Sequence, residues 1–296
     1  MRQADIEQLP LHVLSAEQRA FYFANGYLLL EGYIDAERVE ALRGVLDALY
    51  RRAETPADCP PDFEFETSDD GRHLRQILCA ADHHDMIWSY ASDSPLVDAV
   101  ADLVGPDVLF RESNVAFKRP GGRGFDWHQD SAFAPATNLT PLMTLTYLDD
   151  VTMEMGPTRV IPGSYRGPLL DHYGPDGAWL GLIGDQDRHL IPEETAVAIT
   201  APAGSVLISN CNTVHSALPN TSDRGRPVVI AGYQSADTAC FAEIPYRSRH
   251  RWTIVRGRSA PTIHAEDRVW KMPPDWDRHA GIRIDNLSQQ PSGQAD

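Results

Sequence analysis

Apolar residues recur at helical spacing only in the first third of the chain. Val39, Leu42, Val45, Leu46 and Leu49 follow a period near 3.6, which predicts a helix from Asp35, a capping residue, to about Arg52. Ser15 with Gln18 three residues on forms a capping box, and Gly26 supplies a left-handed stop. SAEQRAFYFAN is therefore a short amphipathic helix and YLLLE a strand after it. Ser94-Pro95 opens a third helix that Gly105-Pro106 closes, Pro being favoured at the first helical position. The acid- and proline-rich stretch from Glu54 to Asp70 predicts a surface loop.

After residue 107 the period changes. VLFRESNVAF, LMTLTYL, VAIT, GSVLIS and RPVVIAGY are short runs rich in β-branched and aromatic residues, separated by Gly, Pro, Asn and Asp. They predict a mainly β barrel or sandwich, about 107–240, behind a helical N-terminal third, about 1–106, in one domain. A C-terminal extension, about 241–286, carries many Arg, His and Trp without periodicity, and 287–296 reads as a polar tail.

Charge narrows the partners. The 296 residues carry a formal net charge of −16, which disfavours nucleic acid and anionic membrane surfaces. No apolar run approaches the ~20 residues that span a bilayer, and the N-terminus lacks the apolar core of a signal peptide. Cys59, Cys79, Cys211 and Cys240 are widely spaced. These features predict a cytoplasmic protein with reduced thiols; they fix no oligomeric state.

The chemistry centres on Trp127-His128-Gln129-Asp130. With a side-chain period of two, His128 and Asp130 share one strand face and can bind one metal ion. Gln129 points nominally the other way, although a strand end can twist it toward the site. His215, after the strand-like GSVLIS, can complete a face of two histidines and one carboxylate. That set leaves coordination positions open and characterises non-haem Fe(II) oxygenases. Arg226, eleven residues beyond His215 on a further strand, offers a fork that grips a carboxylate bidentately. The bland alternative for each histidine is a satisfied structural residue. For His83 and His84, adjacent on one element, a solvated helix start is the better reading. Gly121, Gly122 and Gly124 precede a strand, not a helix, so they do not form a phosphate loop.

Five stretches carry a family resemblance: FANGYLLLEGYID, FKRPGGRGFDWHQD, YLDDVTMEMGPTRVIPGSYRG, PAGSVLISNCNTVHSALPN and RPVVIAGY. Together they cover about residues 16–235, and the chain resembles the phytanoyl-CoA dioxygenase family of iron(II)/2-oxoglutarate oxygenases. The resemblance implies a double-stranded β-helix (a cupin-like jelly roll) with helices outside. It implies Fe(II) on His128, Asp130 and His215, and Arg226 on the distal carboxylate of 2-oxoglutarate, with dioxygen as the oxidant. Lys118 and Gln129 match positions near the co-substrate or metal, and Thr144 and Thr146 share a strand face directed at the pocket. The chain departs from the family at Met155, at Tyr165 and at Ala217. The expected activity is hydroxylation of a small organic molecule such as a secondary metabolite. Desaturation, epimerisation and ring closure are alternatives on the same cofactors. A non-catalytic binding barrel is the alternative of another class. Since Asp130 fills the position that related halogenases leave to chloride, halogenation is not expected.

Overall fold

The computed structural model describes residues 1–55, 59–68, 71–93, 95–242, 244 and 246–275. A single turn, α1 (Gln3–Ile6), precedes α2 (Ala16–Asn25) and β1 (Tyr27–Leu30). The capping box forms: Ser15 accepts from the Gln18 N–H and Gln18 accepts in return from Ser15. Gly26 ends the helix at φ 79°. A Cβ there would lie 2.6 Å from the Tyr165 ring and 2.7 Å from Thr213 Oγ1, so glycine is required by contact as well as by conformation. α3 (Ala36–Ala53) begins on the Asp35 cap and buries its apolar stripe. α4 (Asp85–Ser92) and α5 (Pro95–Val104) complete the helical layer.

The N-terminal third is not purely helical. Within the expected loop, Phe63–Ser68 forms β2, which pairs with β3 (Gly71–Ile77). Phe63 and Phe65 alternate with Glu64 and Glu66 there, a period-two pattern hidden by the surrounding acids and prolines. β4 (Val108–Lys118), β6 (Leu142–Tyr147), β9 (Val206–Asn210) and β11 (Arg226–Ser235) form the centre of the larger sheet. Its order is β1-β9-β6-β11-β4-β3-β2. β5 (Phe125–His128), β7 (Thr158–Val160), β8 (Val197–Ala198) and β10 (His215–Ala217) form the smaller sheet, in the order β5-β10-β7-β8. All pairings are antiparallel. This is a jelly roll with a helical layer on the outer face of the larger sheet.

That sheet is two-faced. Val115, Val206, Ile208, Val229 and Ala231 pack with Leu96, Val100 and Leu103 of α5 in the main core. Met143, Leu145, Val228 and Ile230 turn to the opposite side and line a cavity between the sheets. The described part of the C-terminal extension, residues 241, 242, 244 and 246–275, straps onto the barrel. Phe110 and Trp252–Thr253 exchange backbone hydrogen bonds of 2.9 Å, and a short β12 (Ile254–Arg256) adds to β4. Trp88 stacks on His250 at 3.9 Å, and Ser248 donates to Asp82. Residues 287–296 lie outside the described residues. The four cysteines are unpaired. Among the described residues no helix is long and apolar enough to cross a membrane.

Candidate metal centre

β5 and β10 are neighbours in the smaller sheet, and their register sets His128 directly opposite His215. Asp130 follows two residues after His128, where the chain leaves β5 for a 3-10 turn. One ligand atom from each of the three side chains lies within 4.8 Å of the others. The imidazole rings are 4.0 Å apart, and each Nε2 sits 3.8 Å from Asp130 Oδ1.

The other nitrogen of each ring is already engaged. His128 Nδ1 lies 2.9 Å from the Asp126 carbonyl and His215 Nδ1 3.0 Å from the Thr213 carbonyl. A carbonyl only accepts, so both Nδ1 atoms carry a proton, and Nε2 is the atom of each ring left to face a metal. Burial, and then the neighbouring His215, hold the His128 pKa well below the ordinary value, which keeps that ring neutral. Two imidazoles and one carboxyl group, with each Nδ1 engaged by a backbone acceptor and each Nε2 turned to the cluster, match a divalent-metal donor set.

Arg226 starts β11 and is buried, with Nε lacking a hydrogen-bond partner. An unsatisfied buried donor costs about 1–3 kcal/mol, and a carboxylate arriving in the cavity would remove that cost. Lys118, its partner across the strands, also lines the cavity, but its ammonium donates to the Gly156 carbonyl at 3.0 Å and to the Leu218 carbonyl. Burial, then Arg226 and Arg75, pull its pKa down to about 7. Lys118 thus ties two turns together, and Arg226 keeps the free fork.

Two expected contacts are not at the cavity. Gln129 is buried behind the metal cluster, where its amide donates to the Asn212 carbonyl at 2.8 Å and accepts from the Leu170 N–H at 2.8 Å. Period-two alternation outweighs any twist of the strand end. Thr144 and Thr146 do share a face, but it is the helix-side face. Thr146 Oγ1 pairs with the Tyr90 hydroxyl at 2.5 Å, and Thr144 donates to the Ala231 carbonyl. Met143 and Leu145 take the cavity side instead. His84 caps α4 by accepting from Met86, and His83 pairs with Asp62, which agrees with the helix-start reading. Arg111, Glu112 and Tyr246, which no motif in the chain marks, also line the cavity of about 280 Å³.

The chain matches the phytanoyl-CoA dioxygenase family over residues 22–228. The chain belongs to that family. It is 29% identical over 249 residues to a probable alpha-ketoglutarate-dependent hypophosphite dioxygenase of Stutzerimonas stutzeri, covering 82% of this chain and 87% of that protein. It is 27% identical over 274 residues to an ectoine dioxygenase of Halomonas elongata, covering 87% and 78% respectively. Among solved structures, the fold is similar to that of SnoK, a non-heme alpha ketoglutarate dependent carbocyclase from nogalamycin biosynthesis. The TM-score is 0.63 at 23% identity, covering 77% of this chain and 87% of that one. This family member is an iron- and 2-oxoglutarate-dependent dioxygenase.

Proposed function

We propose that His128, Asp130 and His215 hold the iron, that Arg226 holds the distal carboxylate of 2-oxoglutarate, and that the enzyme hydroxylates a small organic molecule in the cavity between the sheets. The observation that carries the reading is the convergence of both Nε2 atoms on the Asp130 carboxylate, with each Nδ1 tied to a carbonyl. Iron with 2-oxoglutarate supplies the activation of dioxygen.

The protein's own share is binding and exclusion. The two backbone-anchored imidazoles and Asp130 fix three donors on one side of the metal position. Arg226 neutralises and orients the co-substrate from the floor of the cavity. Phe133, Met143, Leu145 and Ile230 give the cavity an apolar wall that limits bulk water at the reacting centre. A cavity of about 280 Å³ suits a substrate of metabolite size.

The test is succinate formation from 2-oxoglutarate with added Fe(II), together with metal analysis of purified variants. His128→Ala and His215→Ala should each lose iron and turnover. Stoichiometric iron in either variant would overturn the assignment. Product masses then separate gain of one oxygen atom, for hydroxylation, from loss of hydrogen, for desaturation or ring closure.

A further inference from the structure

β4 and β11 fall out of step once. Gly232 pairs with Glu112 and Tyr233 with Phe110, so Arg111 is an extra residue in β4. A β-bulge of this kind breaks the alternation and re-aims side chains. Here two consecutive charged residues line the same cavity, Arg111 and Glu112. A Cβ on Gly232 would meet Glu112 Cγ at 3.1 Å and Arg111 Cβ at 3.5 Å, so both stand over the same glycine.

Arg111 is 3% exposed, and its Nε and Nη1 find no hydrogen-bond partner among the described residues. A buried guanidinium stays charged, so it is an unfilled anion site. Glu112 accepts instead from the Tyr246 hydroxyl at 3.4 Å; burial raises its pKa, with Arg111 pulling the other way. The site is also distinct from the Arg226 end. Positions 226 and 232 of β11 are six residues apart, roughly 20 Å of strand. A five-carbon dicarboxylate spans roughly 6 Å with C–C bonds of ~1.5 Å, so one molecule held by Arg226 leaves Arg111 unoccupied. Arg111 and Asp130 line the same cavity, and Asp130 acts on Arg111 electrostatically.

We infer that Arg111, aimed by the bulge opposite Gly232, is the anchor for an anionic oxyacid group of the substrate: a carboxylate, phosphinate or phosphonate held as an ion pair. The inference rests on the iron and 2-oxoglutarate site proposed above and names the class of substrate for it. A neutral substrate would leave this buried cation without a counter-charge; an acid supplies one and accepts a charge-assisted hydrogen bond from it.

The test uses the full chain, loaded with Fe(II) and saturated with 2-oxoglutarate under argon. Acetate and hypophosphite are the probes, acetamide is the neutral control, and the readout is the shift in melting temperature with probe concentration. Both oxyanions should stabilise the protein and acetamide should not. Arg111→Gln should weaken oxyanion binding by roughly ten- to a hundred-fold while 2-oxoglutarate binds as before. Should that variant not fold, Arg111→Lys, which keeps the charge and loses the planar guanidinium, should show a weakening of about tenfold. Equal stabilisation by acetamide, or unchanged oxyanion binding in the Arg111 variants, would overturn the inference. A failure of the metal-site reading is seen earlier, as missing iron or missing 2-oxoglutarate binding before any probe is added. The acetate-against-acetamide comparison is then read on the metal-free protein.

Discussion

His172 shows what separates a structural histidine from a ligand here. Like His128 and His215 it ties Nδ1 to a carbonyl, that of Leu170. Its Nε2, however, accepts the Gln129 N–H at 3.0 Å, and burial brings its pKa down to about 4. The difference lies in what the second nitrogen faces, which no tripeptide pattern reveals. The H-x-D pair, the distal histidine and the strand arginine were legible because their spacing and order survive in the chain. Arg226→Lys tests the last of these. Loss of one bidentate, charge-assisted contact costs on the order of 1.5–3 kcal/mol. The 2-oxoglutarate concentration for half-maximal succinate formation should therefore rise by roughly one to two decades, with melting temperature little changed. An unchanged requirement would give the carboxylate to Lys118.

Elements set which residues the sequence could and could not disclose. Caps and helical stripes are local, so α2, α3 and α5 stand where Ser15, Asp35 and Pro95 predict them. Strand faces are relative: the pair Thr144 and Thr146 is recognisable as a unit but is expected at the pocket, whereas Met143 and Leu145 take that side. The bulge at Arg111 depends on how β4 meets β11, two segments far apart in sequence, and an isolated Gly232 does not announce it. The link between α5 and the N-terminus is another long-range device. Asp102 is buried and accepts from the backbone N–H groups of His12, Val13 and Leu14 at 2.8–3.0 Å. Burial alone would raise its pKa, but those hydrogen bonds and His12 outweigh it, and the net shift is downward. A depressed carboxylate stabilises fully above its unfolded pKa and loses that contribution as pH falls through the folded value. Asp102→Asn should therefore cost about 2 kcal/mol at neutral pH and flatten the acid limb of stability. Equal acid slopes in chemical denaturation of the two proteins would refute this.

At the scale of the molecule, the C-terminal strap adds a wall to the cavity. Ile244 and Tyr246 line it, Glu266 hydrogen-bonds back to Thr137 through its N–H, and Tyr173 donates to the Met272 carbonyl. Trp252 holds a left-handed backbone, φ 65°, where the strap turns onto β4, a conformation bulky residues avoid unless the surroundings enforce it. Ending the chain after Ala239 should remove that wall. At roughly 1 kcal/mol per hydrogen bond lost, the loss amounts to several kcal/mol. The expected outcome is a lower melting temperature and stronger binding of a hydrophobic dye; a truncated protein matching the full chain in both would show the strap to be dispensable. None of this was readable from a segment without periodicity, because its order comes from what it lies against.

The pairing of His128 with His215 across β5 and β10 also reaches beyond chemistry. The two positions are 215 − 128 = 87 residues apart, so an ion held between them fastens a long-range closure that an unfolded chain cannot offer. Binding to the native state alone adds RT ln(1 + [L]/Kd) to stability. Iron supply would then govern not only how fast the enzyme works but how long each copy survives, since the empty form opens more often to proteases.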